Sequence, residues 1–220
     1  MKKKIKGYYF ITGSVLSRSG NVKDVKAAVR AGVNIVQYRN KTAQTGLLCR
    51  EAIKLKKICK NVLFIVNDRV DVALASGADG VHIGQADMPF AAARKLLGDN
   101  KVIGVTVHSV SQAKKALALG VDYIAVAPVF KTGTKKDAGK PTGVSLIKKI
   151  KEISKVPVAA IGGINQVNAR SVINAGADAL CAISCVVSKK DAPAQIQKFQ
   201  ELFKKYKVSH LQMKRRRREV

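Results

Sequence analysis

The sequence predicts a single-domain α/β protein, a (β/α)8 TIM barrel, and three observations lead there. Short Val, Ile and Ala-rich runs alternate with amphipathic segments of helical period, eight of each. The runs are continuously apolar rather than alternating, which means strands buried on both faces and therefore a parallel sheet. A weak internal repeat marks the even strands: Ala31-Gly32-Val33-Asn34, Ser76-Gly77-Ala78-Asp79, Leu119-Gly120-Val121-Asp122 and Ala175-Gly176-Ala177-Asp178 each place a glycine at a helix end, where it can take the left-handed cap. The alternative, an open doubly wound sheet, is disfavoured by that even spacing. A chain of 220 residues with 47% hydrophobic residues can bury one full core, a little below the ~250 residues usual for this barrel. Residues 1–208 are read as the catalytic domain and 209–220 as a basic, disordered tail.

Taken in order, Tyr8 to Thr12 is an apolar run suited to a buried first strand, and Asn21 to Ala31 has Val22, Val25, Ala28 and Val29 on one helical face. Asn34 to Tyr38 is the second strand, and Leu47 to Cys59 a helix aligning Leu48, Ala52, Leu55 and Cys59. Val62 to Val66 is followed by a short helix over Val70 to Ser76, then by Gly80 to Ile83 as strand four and Phe90 to Leu97 as helix. Val102 to Val107 is strand five. The helix after it, Val110 to Leu119, opens with Ser109 and Gln112 three residues apart, the spacing of a capping box. Strand six, Asp122 to Ala127, runs into the 16-residue loop Pro128 to Gly143. Connections of this kind usually take about 2 to 6 residues, so a loop this long is expected to bind something. Helix Val144 to Ile153, strand Val158 to Ile161, helix Val167 to Asn174, strand Ala179 to Ile183 and a closing helix Ala192 to Lys205 complete the chain.

Composition excludes several function classes. The apolar stretch Gly7 to Ile11 is too short for a signal peptide or a membrane span, so the expected location is the cytoplasm, with no membrane partner. Cys49, Cys59, Cys181 and Cys185 lack CxxC spacing and are read as free thiols. The net charge of +27 raises nucleic acid as a partner, but the last ten residues supply only +4 of it. The rest is spread over outward helix faces, as at Lys54, Lys57 and Lys148. With 5% aromatics and no tryptophan, stacking platforms are scarce, and no dedicated nucleic-acid function is expected.

A barrel confines chemistry to the C-terminal ends of its strands and the loops that follow. Those positions hold Gln37, Arg39 and Lys41, then Asn67 and Asp68, Gln85 and Asp87, and Thr106 and His108; beyond strand six come Thr132 to Lys135, then Gly162 and Gly163, and Ser184. Polar residues gather at one rim. Asp68 and Asp87 are hard oxygen ligands on neighbouring strand ends, a donor set for Mg2+ held jointly with substrate oxygens. Arg39, Lys41 and Lys135 would surround the same point with positive charge, which calls for a strongly anionic ligand such as a diphosphate. Gly162 and Gly163, with the turn opened by Ile183, Ser184 and Cys185, match the phosphate site these barrels build after strands seven and eight.

The motifs Gln37-Tyr38-Arg39-Asn40-Lys41, Asn67-Asp68-Arg69, Gly80 to Asp87 (GVHIGQAD), Pro128-Val129-Phe130 with Thr132-Gly133-Thr134-Lys135, Ile161-Gly162-Gly163-Ile164 and Ile183-Ser184 together resemble the thiamine-phosphate synthase family. The resemblance covers strands two to eight. It implies coupling of 4-amino-2-methyl-5-(diphosphooxymethyl)pyrimidine to a thiazole phosphate, carboxylated or simple, by a dissociative, Mg2+-assisted substitution that releases diphosphate and gives thiamine phosphate. By position, Gln37, Tyr38, Arg39, Asn40, Lys41, Asn67, Thr106 and Lys135 would contact the pyrimidine diphosphate, with Arg39, Lys41 and Lys135 catalytic through their charge. Asp68 and Asp87 would hold the metal; Thr132, Gly133, Thr134, Gly163, Ile183 and Ser184 would hold the thiazole phosphate. His82 and His108 are read as packing or hydrogen-bonding residues. A homo-oligomer is the family-level expectation. The chain departs from the family pattern at Lys131, usually proline, at Thr106, usually serine, at Thr12-Gly13, where an acidic residue is common, and in the Arg215 to Arg218 tail. Two competing readings are a thiazole tautomerase, from which Pro128 differs where a catalytic histidine is expected, and a basic polyanion-binding barrel.

Overall fold

The computed structural model describes residues 5–134 and 138–216. Eight parallel strands close into a barrel in sequence order: β1 (Gly7–Ile11), β2 (Ile35–Tyr38), β3 (Leu63–Asn67), β4 (Gly80–Ile83), β5 (Val102–Val107), β6 (Tyr123–Val126), β7 (Val158–Ile161) and β8 (Ala179–Cys181), with β8 pairing back onto β1. Between them run α1 (Asn21–Arg30), α2 (Thr45–Ile58), α3 (Val70–Ala75), α4 (Phe90–Leu97), α5 (Val110–Ala118), α6 (Gly143–Ile153) and α7 (Ala169–Asn174). Two helices follow β8: α8 (Ser184–Val187) and α9 (Ala192–Arg216).

Among the described residues the structure adds the one-turn α8 to the eight helices expected from sequence, at the turn that Ile183, Ser184 and Cys185 open. Four residues are too few for apolar periodicity to register. The last helix extends past Lys205 to Arg216, taking in backbone that the sequence reading placed in a disordered tail. The extension from Tyr206 to Arg216 holds no Gly or Pro, and its last six residues, from Leu211 on, are all Leu, Gln, Met, Lys or Arg, good helix formers.

Two apolar layers hold the barrel. One lies between the strands and the helix ring, and the other fills the barrel itself with Tyr9, Ile11, Ile35, Ile65, Tyr123 and Cys181 among others. The inner layer mixes large and small residues because two tyrosines occupy its middle. A Cβ on Gly104 would lie 2.0 Å from the Tyr123 ring, so glycine at that inward position of β5 is what lets Tyr123 cross the axis.

The four-fold repeat has a structural meaning beyond its glycines, whose φ values are +74°, +64°, +79° and +100° at Gly32, Gly77, Gly120 and Gly176. In three copies the aspartate two residues on receives a backbone N–H from the neighbouring strand: Phe64 to Asp79, Ile103 to Asp122 and Val158 to Asp178, at 2.8, 2.8 and 2.9 Å. The same three carboxylates pair with Lys56, Arg94 and Lys151 on α2, α4 and α6, at 2.7, 2.6 and 2.7 Å. Each unit therefore ties a helix, an odd strand and an even strand together at the end of the barrel away from the rim. The fourth copy carries Asn34, whose amide donates to the Lys6 carbonyl.

Helix α9 covers the β8–β1 seam. Phe199 stacks on Tyr8 with ring centroids 5.0 Å apart, and buried Gln200 accepts the Tyr8 N–H at 3.2 Å while donating to the Gly32 carbonyl at 2.8 Å. The Ser109 cap forms as the spacing predicted, Gln112 N–H donating to Ser109 Oγ at 3.2 Å. The reciprocal arm falls one residue early: the Gln112 side chain accepts from the His108 N–H at 2.6 Å.

Candidate active site

A cavity of about 170 Å3 opens at the C-terminal ends of the strands. Of the residues singled out from sequence it is lined by Gln37, Arg39, Lys41, Asn67, Asp68 and Asp87, and further round by Thr106, Thr132, Thr134, Gly163, Ile183 and Ser184. Three of the described candidates do not line it. Tyr38 points to the helix side of β2, 2% exposed, and its hydroxyl donates to Glu51 Oε2 at 2.6 Å. A strand sends successive side chains to opposite faces, so Tyr38 cannot share the lumen with Gln37. Asn40 instead shapes its own loop, its Oδ1 accepting the N–H groups of Thr42 and Ala43, both at 3.2 Å. Gly133 lies on the loop without facing the cavity. Lys135 lies outside the described residues.

The acidic corner is built by backbone geometry. Asp68 has φ +62°, and the Arg69 N–H donates to the Asn67 carbonyl at 2.7 Å, so Asp68 sits at the centre of a γ-turn. A non-glycine residue in that region costs about 1 to 3 kcal/mol, and here the turn swings the carboxylate inward, 3.2 Å from Lys41 Nζ. Asp87 is fixed by the turn after β4, its Oδ2 accepting the Gly84 N–H at 2.7 Å. Burial raises the pKa of Asp68 and the neighbouring Asp87 carboxyl raises it further, against the opposing pull of Lys41. Two carboxylates sharing a partly buried corner favour a bound cation that relieves their repulsion.

Arg39 is held by the β1α1 loop. Thr12 Oγ1 accepts the Arg39 N–H at 2.8 Å, and Thr12 and Ser14 both donate to its carbonyl, at 3.2 and 3.0 Å. The neutral Thr12, where the family pattern often has an acid, thus serves as a hydrogen-bonding clamp on the β2 rim. On the opposite side, Gly162 and Gly163 have φ +103° and +64°. A Cβ on either would fall 2.6 Å from Pro128 Cβ or 2.4 Å from the Lys131 carbonyl oxygen, so the long β6α6 loop lies directly on this bare turn. Val129 and Phe130 donate to the Ile161 and Gly162 carbonyls, both at 2.9 Å, and Thr142 and Gly143 return to Pro128 and Val129 at 2.8 and 3.0 Å. The loop is therefore anchored at both ends, with Thr132 and Thr134 turned to the cavity.

Both histidines are hydrogen-bonded, as the sequence reading expected. His108 Nδ1 donates to the Ala127 carbonyl at 2.6 Å, and His82 bridges Tyr123 and Thr106. Sequence reasoning missed Tyr9, Ile11, Ile161 and Cys181 on the cavity floor. The available signal was register: counting by two from Gln37 and across the paired strands marks Tyr9 and Ile11 as inward.

A closed parallel barrel whose C-terminal rim carries paired carboxylates, facing cations, threonine hydroxyls and a bare glycine turn defines a class of enzyme that handles phosphorylated small molecules. The chain belongs to the thiamine monophosphate synthase family, whose sequence pattern matches residues 8–186. It is 49% identical to the thiamine-phosphate synthase of Methanosarcina mazei over 201 residues, 91% of this chain and 84% of that protein. The Chloroflexus aurantiacus thiamine-phosphate synthase is 45% identical, over 88% of this chain and 91% of its own length. Among solved structures, the thiamine phosphate pyrophosphorylase of Pyrococcus furiosus superposes with a TM-score of 0.84 at 36% identity, covering 91% of this chain and 96% of that one. The activity is that of a thiamine-phosphate synthase, a transferase of thiamine biosynthesis.

Proposed function

We propose that the rim cavity binds a pyrimidine diphosphate and a thiazole phosphate side by side and joins them by dissociative substitution, releasing diphosphate. The observation that carries this reading is the convergence of Lys41, Asp68, Asp87 and Thr106 on one cavity whose far wall is Gly163, Ser184 and the Thr132 loop. A strongly anionic leaving group belongs on the first side and a monophosphate on the second.

Mg2+ fits the acidic corner by donor chemistry. The set is oxygen only, two carboxylates lining one corner of the cavity, and this ion prefers to complete its shell with substrate oxygens and waters. Asp68 and Asp87 would hold it, and when bound it would supply charge stabilisation for departing diphosphate. The chain's own contribution is positional. Arg39 and Lys41 set fixed positive charge beside the diphosphate, and Lys135 takes the same part in the sequence resemblance. Asn67 and Thr106 orient the pyrimidine end. Thr132, Thr134, Gly163 and Ser184 hold the thiazole phosphate so that its ring nitrogen faces the pyrimidine methylene carbon as the diphosphate leaves. No general base is required by this chemistry. Cys49, Cys181 and Cys185 as free thiols agree with a reducing, cytoplasmic setting, and among the described residues no helix is long and apolar enough to cross a membrane.

The test is product formation. Purified protein with both substrates is expected to make thiamine phosphate only with Mg2+ present, and Asp68→Ala or Asp87→Ala to lose a factor of roughly 10² or more in turnover. Near-normal turnover in both variants removes the metal assignment. Lys135→Ala is expected to weaken pyrimidine diphosphate use while sparing thiazole phosphate binding, and equal loss of both would mean the loop is wrongly divided. Comparing carboxylated and simple thiazole phosphates as acceptors identifies the second substrate.

A further inference from the structure

Beneath the acidic corner, five side chains from five different strands form one unbroken line of hydrogen bonds through the barrel. Gln37 Nε2 donates to the Tyr9 hydroxyl at 2.7 Å, Tyr9 and Tyr123 hydroxyls meet at 2.9 Å, Tyr123 meets His82 Nδ1 at 2.9 Å, and His82 Nε2 meets Thr106 Oγ1 at 2.7 Å. All but the last residue are buried, Gln37 at 3% exposure, Tyr9 at 1%, Tyr123 at 0% and His82 at 8%. A barrel can fill its middle with Leu, Ile and Val. Placing two tyrosines and a histidine there, with Gly104 opening space for one of them, creates polar groups that each must find a partner.

The proton inventory gives the line a direction. A tyrosine hydroxyl has one hydrogen to donate, and a neutral imidazole donates at one nitrogen and accepts at the other. With the Gln37 amide donating to Tyr9, the Tyr9 hydrogen goes to Tyr123, and the Tyr123 hydrogen goes to His82 Nδ1. His82 then carries its hydrogen on Nε2 and donates to Thr106, whose own hydrogen is free to point into the cavity that Thr106 lines. Run the other way, the line would need the Gln37 carbonyl oxygen at Tyr9, and would consume the Thr106 hydrogen on the imidazole. We propose that Tyr9, Tyr123 and His82 are positioning residues, a one-way hydrogen-bond chain that fixes the Nε2–H tautomer of His82 and presents the Thr106 hydroxyl as a ready donor to the pyrimidine diphosphate. This rests on the reading of Thr106 as a substrate contact. A donor oriented before the ligand arrives requires no reorganisation when charge shifts during the reaction.

The decisive measurement is 15N NMR of the histidine-labelled, ligand-free protein, with His82→Gln assigning the signal. The expected result is a neutral His82 protonated at Nε2. A His82 protonated at Nδ1, or a mixture of the two forms, overturns the chain without recourse to any other variant. Activity then tests the role. Tyr123→Phe keeps the ring and cuts both of its hydrogen bonds, and is expected to release the His82 tautomer and lower kcat/KM for the pyrimidine diphosphate about tenfold, with KM for the thiazole phosphate unchanged. Thr106→Val should lose at least as much, Thr106→Ser should restore it, and the Tyr123→Phe/Thr106→Val pair should be no worse than Thr106→Val alone. Losses that multiply in the pair overturn the positioning role, because residues acting through one another do not add. Full activity in Thr106→Val, with His82 still protonated at Nε2, would retire the substrate contact of Thr106 and the positioning role with it, whereas the wrong tautomer retires the chain while leaving that contact standing.

Discussion

At the residue scale, Asp68 shows why a place on the rim can be read from sequence while its backbone strain cannot. The Asn67-Asp68-Arg69 motif marks a carboxylate at a strand end, but nothing in those letters announces φ +62°. Strain of this kind persists at functional positions because the surroundings enforce it. Asp68→Gly removes it, and the expected outcome is a variant that is as stable as the parent or more so, by up to about 1 kcal/mol in denaturant unfolding, and inactive in the coupling assay. A clear loss of stability would mean that the Lys41 pairing outweighs the strain. His82 was placed correctly among hydrogen-bonding residues, but its tyrosine partners were illegible: strands buried on both faces lack the alternation that would tell inward from outward. Its pKa sets a sign for acid behaviour. An ordinary His near 6.5 in the unfolded chain and about 4 in the folded one means the unfolded state takes up more protons between those values. Stability is full above pH 6.5 and falls as pH drops, by about 2 kcal/mol between pH 7 and 5 for this group alone. The raised pKa of Asp68 acts with the opposite sign, stabilising at low pH and losing that contribution as pH rises. His82→Gln should flatten the fall seen in thermal melts over pH 5 to 7, and an unchanged slope would show that other groups set it.

At the scale of elements, the Gly-x-Asp repeat was legible as punctuation and its chemistry was not. Glycine before a strand is a local backbone signal, whereas the aspartate acts on the neighbouring strand, about 15 to 20 residues earlier in the chain, and on a helix earlier still. No local pattern carries that information. The consequence is a difference between the two ends, with aspartate ties at the bottom and the polar cavity at the top, the end where these barrels generally place catalysis. Asp178→Ala leaves the Val158 N–H without its acceptor and Lys151 without its partner, part-buried at 2.9 and 2.7 Å. The expected cost is about 2 kcal/mol, a fall in Tm of roughly 4 to 8 °C for a chain of this size, with kcat unchanged at 25 °C. Asp178→Asn, which keeps an acceptor, should lose about half as much. A fall in kcat for folded Asp178→Ala would show that the two ends are coupled. The loop Pro128 to Gly143 stood out by its length and its Thr-Gly-Thr-Lys composition, and its anchoring on the Gly162-Gly163 turn puts loop and glycines on one wall of the cavity.

At the scale of the whole molecule, the closed barrel was legible because eight similar units leave few other ways to bury continuous strands. What charge does to it follows from the numbers. With 41 basic residues and 14 acidic ones, at least 27 basic side chains have no acid to themselves, whatever pairs form. Among the described residues the pairs use Asp79, Asp122 and Asp178 at the bottom of the barrel, Asp68 at the rim and Asp71 on α3, leaving an excess of positive charge on the helix faces to repel itself. Such repulsion destabilises the compact state and is screened by salt, while the same field draws anionic substrates to the rim. The two effects run in opposite directions. Raising NaCl from about 0.05 to 0.5 M shortens the Debye length from roughly 14 to 4 Å, so Tm is expected to rise by several degrees while kcat/KM for the pyrimidine diphosphate falls several-fold. The same titration separates steering from a polyanion-binding role. Nucleic acid held only by diffuse charge would be released as steeply by salt from Asp68→Ala as from the parent. The diphosphate substrate, if it needs the acidic corner, would lose affinity in that variant already at low salt. A protein whose Tm falls with salt would contradict the repulsion argument, and would mean that the few ion pairs on the barrel outweigh the many unpaired lysines.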